Sequence, residues 1–335
     1  MKDRKLFYLL YLFIAATIMF VNVGCSEDED PVTPPPVNES EVLVQYLEAN
    51  SDFINSTSCP AMISATALNT DILAGANITI IDVRSAADYA IGHIQGAVNV
   101  TIPEIVNYYR TNSLSSKTKV VVTCYTGQSA AFAVALLRLS GYTNVFDLQF
   151  GMCSWAYPTT WNTKKTEGQT SPITLQTTAN AKNTAGSLPT LTTGKTTGAE
   201  IFESRLATVL AEGYTPASIS RTTLFQNLSA YYIVNYWPEA QYSNPGHIEG
   251  AVQYTPQNDL KLANFLKTLP LPTSGKTIVV YCYTGQTSAH IAAYLRLLGY
   301  DAKSLSFGAN NLFYDTMPGT KWNEATEFMN YPVVQ

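Results

Sequence analysis

Two runs of β-branched and apolar residues stand at matching places in the chain, Lys-Val-Val-Val-Thr at 119–123 and Thr-Ile-Val-Val-Tyr at 277–281. Neither alternates with polar residues, the pattern of a strand covered on both faces. Behind each lies a short polar loop, then an alanine-rich apolar segment, 131–142 and 289–300, that predicts a helix. Around them the pattern predicts a helix from Ser40 as N-cap through Leu47, and a second from about Ser64 to Gly75. Strands are predicted at 78–83, 98–102 and 145–148, with a helical stretch at 103–109. The same order then recurs: 216–224 echoes 60–68, 246–252 echoes 92–98, and 305–308 echoes 148–151. An offset of roughly 155 residues is too long for a solenoid unit and right for a duplicated domain. Strands alternating with helices imply α/β architecture, each copy a mainly parallel sheet with helices on both faces.

The two loops repeat almost word for word. Cys124-Tyr125-Thr126-Gly127-Gln128-Ser129-Ala130 is matched by Cys282-Tyr283-Thr284-Gly285-Gln286-Thr287-Ser288. A cysteine that opens a loop between strand and helix sits beside a ring of backbone N–H groups and the positive end of a helix. Both features favour a thiolate. Gly127 and Gly285 allow the sharp bend, and Ser129 and Thr287 supply hydroxyl donors and potential helix caps.

Composition changes the picture at the N-terminus and little elsewhere. Charged residues make up 13% of the 335, with a net charge of −5 and no basic block, so nucleic-acid binding is excluded as a leading function. Lys2, Arg4 and Lys5 precede an apolar run to about Val21, then Asn22-Val23-Gly24-Cys25. This resembles a bacterial lipoprotein signal, which implies lipidation of Cys25; the alternative is an uncleaved anchor. The acidic residues 27–30 and the prolines of 31–36 predict an extended tether. The acidic run resembles signals that send lipoproteins to the surface of some Gram-negative outer membranes, the alternative being a solvated spacer. Expected organisation is thus signal 1–24, tether 25–39, first domain 40–162, linker 163–197 and second domain 198–335, lipid-anchored to the outer membrane with a periplasmic or surface face.

Together the landmarks resemble the rhodanese, or sulfurtransferase, family. The first copy carries Asp82-Val83-Arg84 after a strand, Gly-His-Ile-Gln-Gly-Ala at 92–97, and then the Cys124 loop. The second repeats the histidine motif and the loop, but Asn235-Tyr236-Trp237 replaces the Asp-x-Arg. The resemblance implies two doubly wound domains whose loop cysteines, Cys124 and Cys282, take up sulfane sulfur as a persulfide and pass it to a thiol or cyanide. The amides of 125–130 and 283–288 would hold the terminal anion. Thiosulfate, polysulfide or a protein persulfide would be the donor, and no metal or organic cofactor is required. Neither loop carries the Arg or Lys that often neutralises thiosulfate. The resemblance also implies that Asp82 and Arg84 tie loops together, and that His93 and His247 hold turns rather than move protons.

Competing readings differ in kind. A phosphatase on a related fold needs a Cys-x₅-Arg clamp, and Ala130 and Ser288 stand where the arginine would be. A non-catalytic surface binding or sulfur-carrier module remains the alternative. His290, opposite Phe132 in the first copy, is expected at an exposed helix position, or else facing the Cys282 pocket. Cys59 and Cys153 have no counterparts in the second copy, so in an exported protein they form either a disulfide or two separate thiols.

Overall fold

The valine-rich runs become central strands of two parallel sheets in the computed structural model, which describes residues 38–335. The first sheet holds β1 (Met62–Ile63), β2 (Ile78–Asp82), β3 (Ala97–Asn99), β4 (Lys119–Thr123) and β5 (Val145–Leu148), in the order β1-β5-β4-β2-β3. The second holds β6 (Ser218–Ile219), β7 (Tyr231–Asn235), β8 (Val252–Gln253), β9 (Thr277–Tyr281) and β10 (Ala302–Leu305), in the order β6-β10-β9-β7-β8. Parallel neighbours cannot be joined by tight turns, so each connection crosses over the sheet and brings helices onto its faces. Four of the five residues of β4, and of β9, are buried, as strands with neighbours on both edges and cover on both faces must be. The fold is α/β, two domains of one design.

Five helices position the site: α1 (Glu39–Ala49), α2 (Gln128–Leu139), α3 (Thr159–Thr170), α4 (Gly198–Glu212) and α5 (Gln286–Leu297). Helices α2 and α5 follow the cysteine loops and are buried nearly all round. Each packs on its own sheet with one face and on the other helix with the opposite face. Alanines at 130, 131, 133 and 135, and at 289, 292 and 293, let the two approach closely, and one apolar core runs through both domains. Leu136 and Leu295 are fully buried in it. Truncating either to alanine would open a cavity costing about 2–5 kcal/mol.

The exit segments cross over. After the first domain, Gln176 forms an antiparallel bridge with His247 of the second, through two backbone bonds of 2.9 Å. After the second, Val334 makes the same bridge with His93 of the first, again at 2.9 Å in both directions. The two bridging residues have the same spacing as the two cysteines. Each domain therefore contributes a strap to its neighbour.

Several local expectations change. The first helix begins at Glu39 with Asn38 as N-cap, while Ser40 is buried and donates to the Pro189 carbonyl. Helix α3 runs through residue 163, and within the expected linker Gln176 makes the bridge to His247 and accepts from Gly250 N–H through its Oε1, while Ile173 N–H donates to Leu312 O. Further along, Leu188 is buried against the shared core. The signal 1–24, the tether 25–39 and the lipidation of Cys25 fall on residues outside those described, apart from residues 38 and 39.

Candidate active site

Each cysteine stands at the carboxyl end of a central strand, where the chain turns into its helix through a left-handed glycine. Gly127 has φ 89° and Gly285 φ 82°, and each is the N-cap of its helix. That turn brings amides back onto the sulfur. Gly127 N–H and Ala130 N–H donate to Cys124 Sγ at 3.1 and 3.4 Å. Gly285 N–H and Ser288 N–H donate to Cys282 Sγ at 3.2 and 3.3 Å. These donors are fixed by the backbone, so an anion at the sulfur is met without reorganisation.

Burial opposes them. Cys124 is 3% exposed and Cys282 2%. Burial pushes the Cys124 thiol above its ordinary value, against the pull of the Ser129 hydroxyl and the amides of Ala130, Thr126 and Gly127. The expected preference for thiolate is thus reversed at Cys124 in the resting protein, because withdrawal from water outweighs the donors. Neither Ser129 nor Thr287 caps its helix, since the glycine takes that position with no side-chain cap. Ser129 bears on the sulfur instead.

The side chains of the loops differ in exposure. Tyr125 is 37% exposed, beside Tyr157 with ring centroids 6.2 Å apart. Thr126, Ser129 and Thr287 are half-buried, whereas Thr284, Gln128, Gln286, Ala130 and Ser288 are buried. Tyr283 stacks on Trp237 at 5.2 Å and lies under Gly319, where a Cβ would come within 2.5 Å of its ring. The 315–322 segment therefore covers the second loop more fully than anything covers Tyr125.

Asp82 and Arg84 form the expected tie. The guanidinium meets the carboxylate at 2.6 Å and also donates to Gly92 O at 2.8 Å, with both side chains buried. In the second domain Asn235 donates to Tyr281 Oη at 2.7 Å, and that hydroxyl accepts from Ile248 N–H at 3.3 Å. Tyr281, at the place of Thr123, thus restores by a neutral route the link from strand to histidine turn. The alignment of β4 with β9 already contained that substitution. Trp237 Nε1 and Asn235 Oδ1 are buried there without partners.

His93 and His247 sit in their turns. Their Nδ1 atoms lie 3.1 and 2.9 Å from the carbonyls of Tyr89 and Tyr242, and their rings stack on those tyrosines at 3.7 and 3.6 Å. His290 is neither exposed nor facing Cys282 as a partner. It is fully buried between the domains, with Nε2 3.2 Å from Asp147 Oδ1 of the first, because α5 is covered on that side by the other domain. The pair is in contact but off the hydrogen-bonding line.

Cys59 and Cys153 are separate free thiols, so the disulfide alternative is not met. Cys59 lies in the shared core, whereas Cys153 belongs to an aromatic cluster with Phe150, Trp161 and Trp322. Burial pushes the Cys153 thiol up to about 12. That cluster roofs the first loop, Trp161 Nε1 donating to Thr126 O at 3.2 Å.

Sequence reasoning missed the Phe-Gly turns as site elements. Phe150 and Phe307 have φ 61° and 64°, and the glycines after them press on the loops. A Cβ on Gly151 would come within 2.5 Å of Cys124 O, so only glycine fits. Met152 N–H donates to Cys124 O at 2.8 Å and Ala309 N–H to Cys282 O at 3.0 Å. The repeated Phe-Gly pair was the available signal.

A family model described as a rhodanese-like domain matches residues 64–157 and 225–312. Thiosulfate sulfurtransferase GlpE of Pseudomonas fluorescens (strain SBW25) is 36% identical over 81 residues, 24% of this chain and 72% of that protein. A Bacillus subtilis (strain 168) protein named as a candidate sulfur carrier, YrkF, is 26% identical over 119 residues; the match spans 35% of this chain and 63% of YrkF. Among solved structures, thiosulfate sulfurtransferase from Pseudomonas aeruginosa is 17% identical, covering 86% of this chain and 49% of its own, with a TM-score of 0.29. With the model matched in both repeats, over more than half of the residues, the chain belongs to the rhodanese-like family and carries two of its domains in tandem.

Proposed function

We propose that the protein is a sulfurtransferase that carries sulfane sulfur on Cys124 and Cys282. The supporting observation is the pair of thiols, each at a strand end with two loop amides within 3.4 Å of its sulfur. With thiosulfate, the Cys thiolate attacks the outer sulfur, the S–S bond breaks, and sulfite leaves with the bonding pair. The enzyme is left as Cys–S–S⁻, its charge held by the loop amides. A thiolate or cyanide then attacks the terminal sulfur, forming a new persulfide or thiocyanate and returning the Cys thiolate. No cofactor enters either step. Because neither loop bears a cation for the thiosulfate dianion, polysulfide or a protein persulfide is an equally suitable donor.

The test is intact mass after incubation with thiosulfate or polysulfide, together with thiocyanate release on adding cyanide. Added sulfur of one atom per competent cysteine is expected. No added sulfur on either thiol and no thiocyanate would falsify the reading. Burial of both thiols, 3% and 2% exposed, favours the second reading, a binding or sulfur-carrier module that holds sulfur without turnover. Sulfur loading without thiocyanate release selects it.

The reading extends to an exported protein anchored by lipid on Cys25 to the outer membrane, periplasmic or surface-facing. Support comes from Lys2, Arg4 and Lys5, the apolar run and Val23-Gly24-Cys25. Labelled fatty acid should enter the protein but not its Cys25→Ala variant; equal labelling sinks the anchor.

A further inference from the structure

The glutamines of the two loops do not serve their own loops first. Gln286 opens α5, yet its side chain crosses into the first domain. Its Oε1 accepts from Phe150 N–H at 3.0 Å, and its Nε2 donates to Asp147 Oδ2 at 2.5 Å. Gln128 opens α2 and makes the reverse crossing, with Oε1 accepting from Phe307 N–H at 2.8 Å. A Cβ on Gly127 would lie 2.5 Å from Gln286 Nε2, and one on Gly285 would lie 2.6 Å from Gln128 Oε1. Each loop is thus in touch with the glutamine of the other. Both glutamines are buried, at 3% and 0% exposure.

What they hold matters. Phe150 and Phe307 occupy the left-handed region, which non-glycine residues avoid, so their amides need an external partner to stay there. Two residues on, Met152 N–H and Ala309 N–H donate to the carbonyls of Cys124 and Cys282. Withdrawing Gln286 would orphan the Phe150 amide and one oxygen of a buried carboxylate, directly behind the Cys124 loop.

We propose that Gln128 and Gln286 are positioning residues acting across the domain boundary, Gln286 setting the geometry at Cys124 and Gln128 that at Cys282. Their use in sulfur transfer rests on the function proposed above; their effect on thiol reactivity does not. The two arms are unequal. Gln286 also fastens Asp147, which faces His290, whereas Ser304 and Phe132 stand at the matching places. Gln128 spends its Nε2 on Thr126 of its own loop, at 3.1 Å.

The experiment uses the full chain with one loop cysteine removed. In Cys282→Ser, the Cys124 alkylation rate is followed by peptide mass against pH, with and without Gln286→Met. The same substitution is placed in Cys124→Ser and Cys282 followed. The expected result is a change of about tenfold at Cys124 with a displaced pH midpoint, at least about threefold larger than the change at Cys282. An effect on Cys282 equal to or larger than that on Cys124, or none on Cys124, overturns the proposal. If Gln286→Met does not fold, amide exchange in Cys282→Ser decides: Phe150 and Phe307 N–H must be protected, and exchange at the rate of exposed amides overturns it. Sulfur loading is read on the same samples. A crossed alkylation effect without sulfur loading removes the sulfurtransferase reading and leaves the positioning role; sulfur loading without the crossed effect does the reverse.

Discussion

The two cysteine loops share a backbone and differ in what stands around it. Cys124 has an exposed tyrosine at its mouth and an Asp82–Arg84 fork behind it; Cys282 has a tyrosine pressed between Trp237 and Gly319, and a neutral Asn235–Tyr281 link. The sulfur environment is set by backbone amides and survives changes in side chains. Access and support are set by side chains and have diverged. One loop can therefore keep the sulfur environment of its partner while presenting a different mouth.

The sharpest way to break that comparison is to remove each thiol. If the protein is the sulfurtransferase proposed above, Cys124→Ser should abolish most cyanide-dependent thiocyanate formation, because Tyr125 leaves its loop the more accessible, and Cys282→Ser should remove the smaller share. The reverse order in a steady-state assay would show that the covered loop is the working one.

The supports come next. Arg84→Met leaves Asp82 buried without its partner and should cost about 3–5 kcal/mol in a denaturant titration. Asn235→Ala breaks only a neutral bond to Tyr281 and should cost about 1–3 kcal/mol. Equal losses would erase the difference between the charged and neutral ties.

Gly151→Ala should destabilise by more than about 1 kcal/mol, since a Cβ there meets the Cys124 carbonyl and φ is 60°. The sign of the measured shift checks the fit of the Phe-Gly turn; a neutral outcome would mean that the turn yields.

The smallest effect is on pH. The Cys124 thiol is raised by burial, so its alkylation should rise through a midpoint above the ordinary ~8.5 of a free thiol. The folded state then holds this proton more tightly than the unfolded chain. Its contribution to stability is present below ~8.5 and is lost as pH climbs through the raised folded value. A midpoint below ~8.5 would show that the loop donors outweigh burial.

Much of this was legible in order along the chain. The strand-loop-helix units, the duplication and the cysteines at strand ends follow from hydrophobic runs, glycines and their repetition, all local signals. His290 was misplaced because a helix that reads as one-sided is covered on both sides once α2 and α5 meet. That only the first copy has Cys59 and Cys153 suggests a pair, yet proximity in space is not encoded in that coincidence. Gln128 and Gln286 looked like loop polar residues, and nothing in their neighbours shows that they cross.

By itself, then, the sequence determined the two parallel α/β domains and the two amide-ringed thiols, because periodicity and loop geometry act within a few residues. Only the tertiary structure decided which loop is covered, which strap braces which domain, and which glutamine holds which turn. Those choices depend on contacts between residues far apart in the chain, where burial and unsatisfied polar groups settle the outcome.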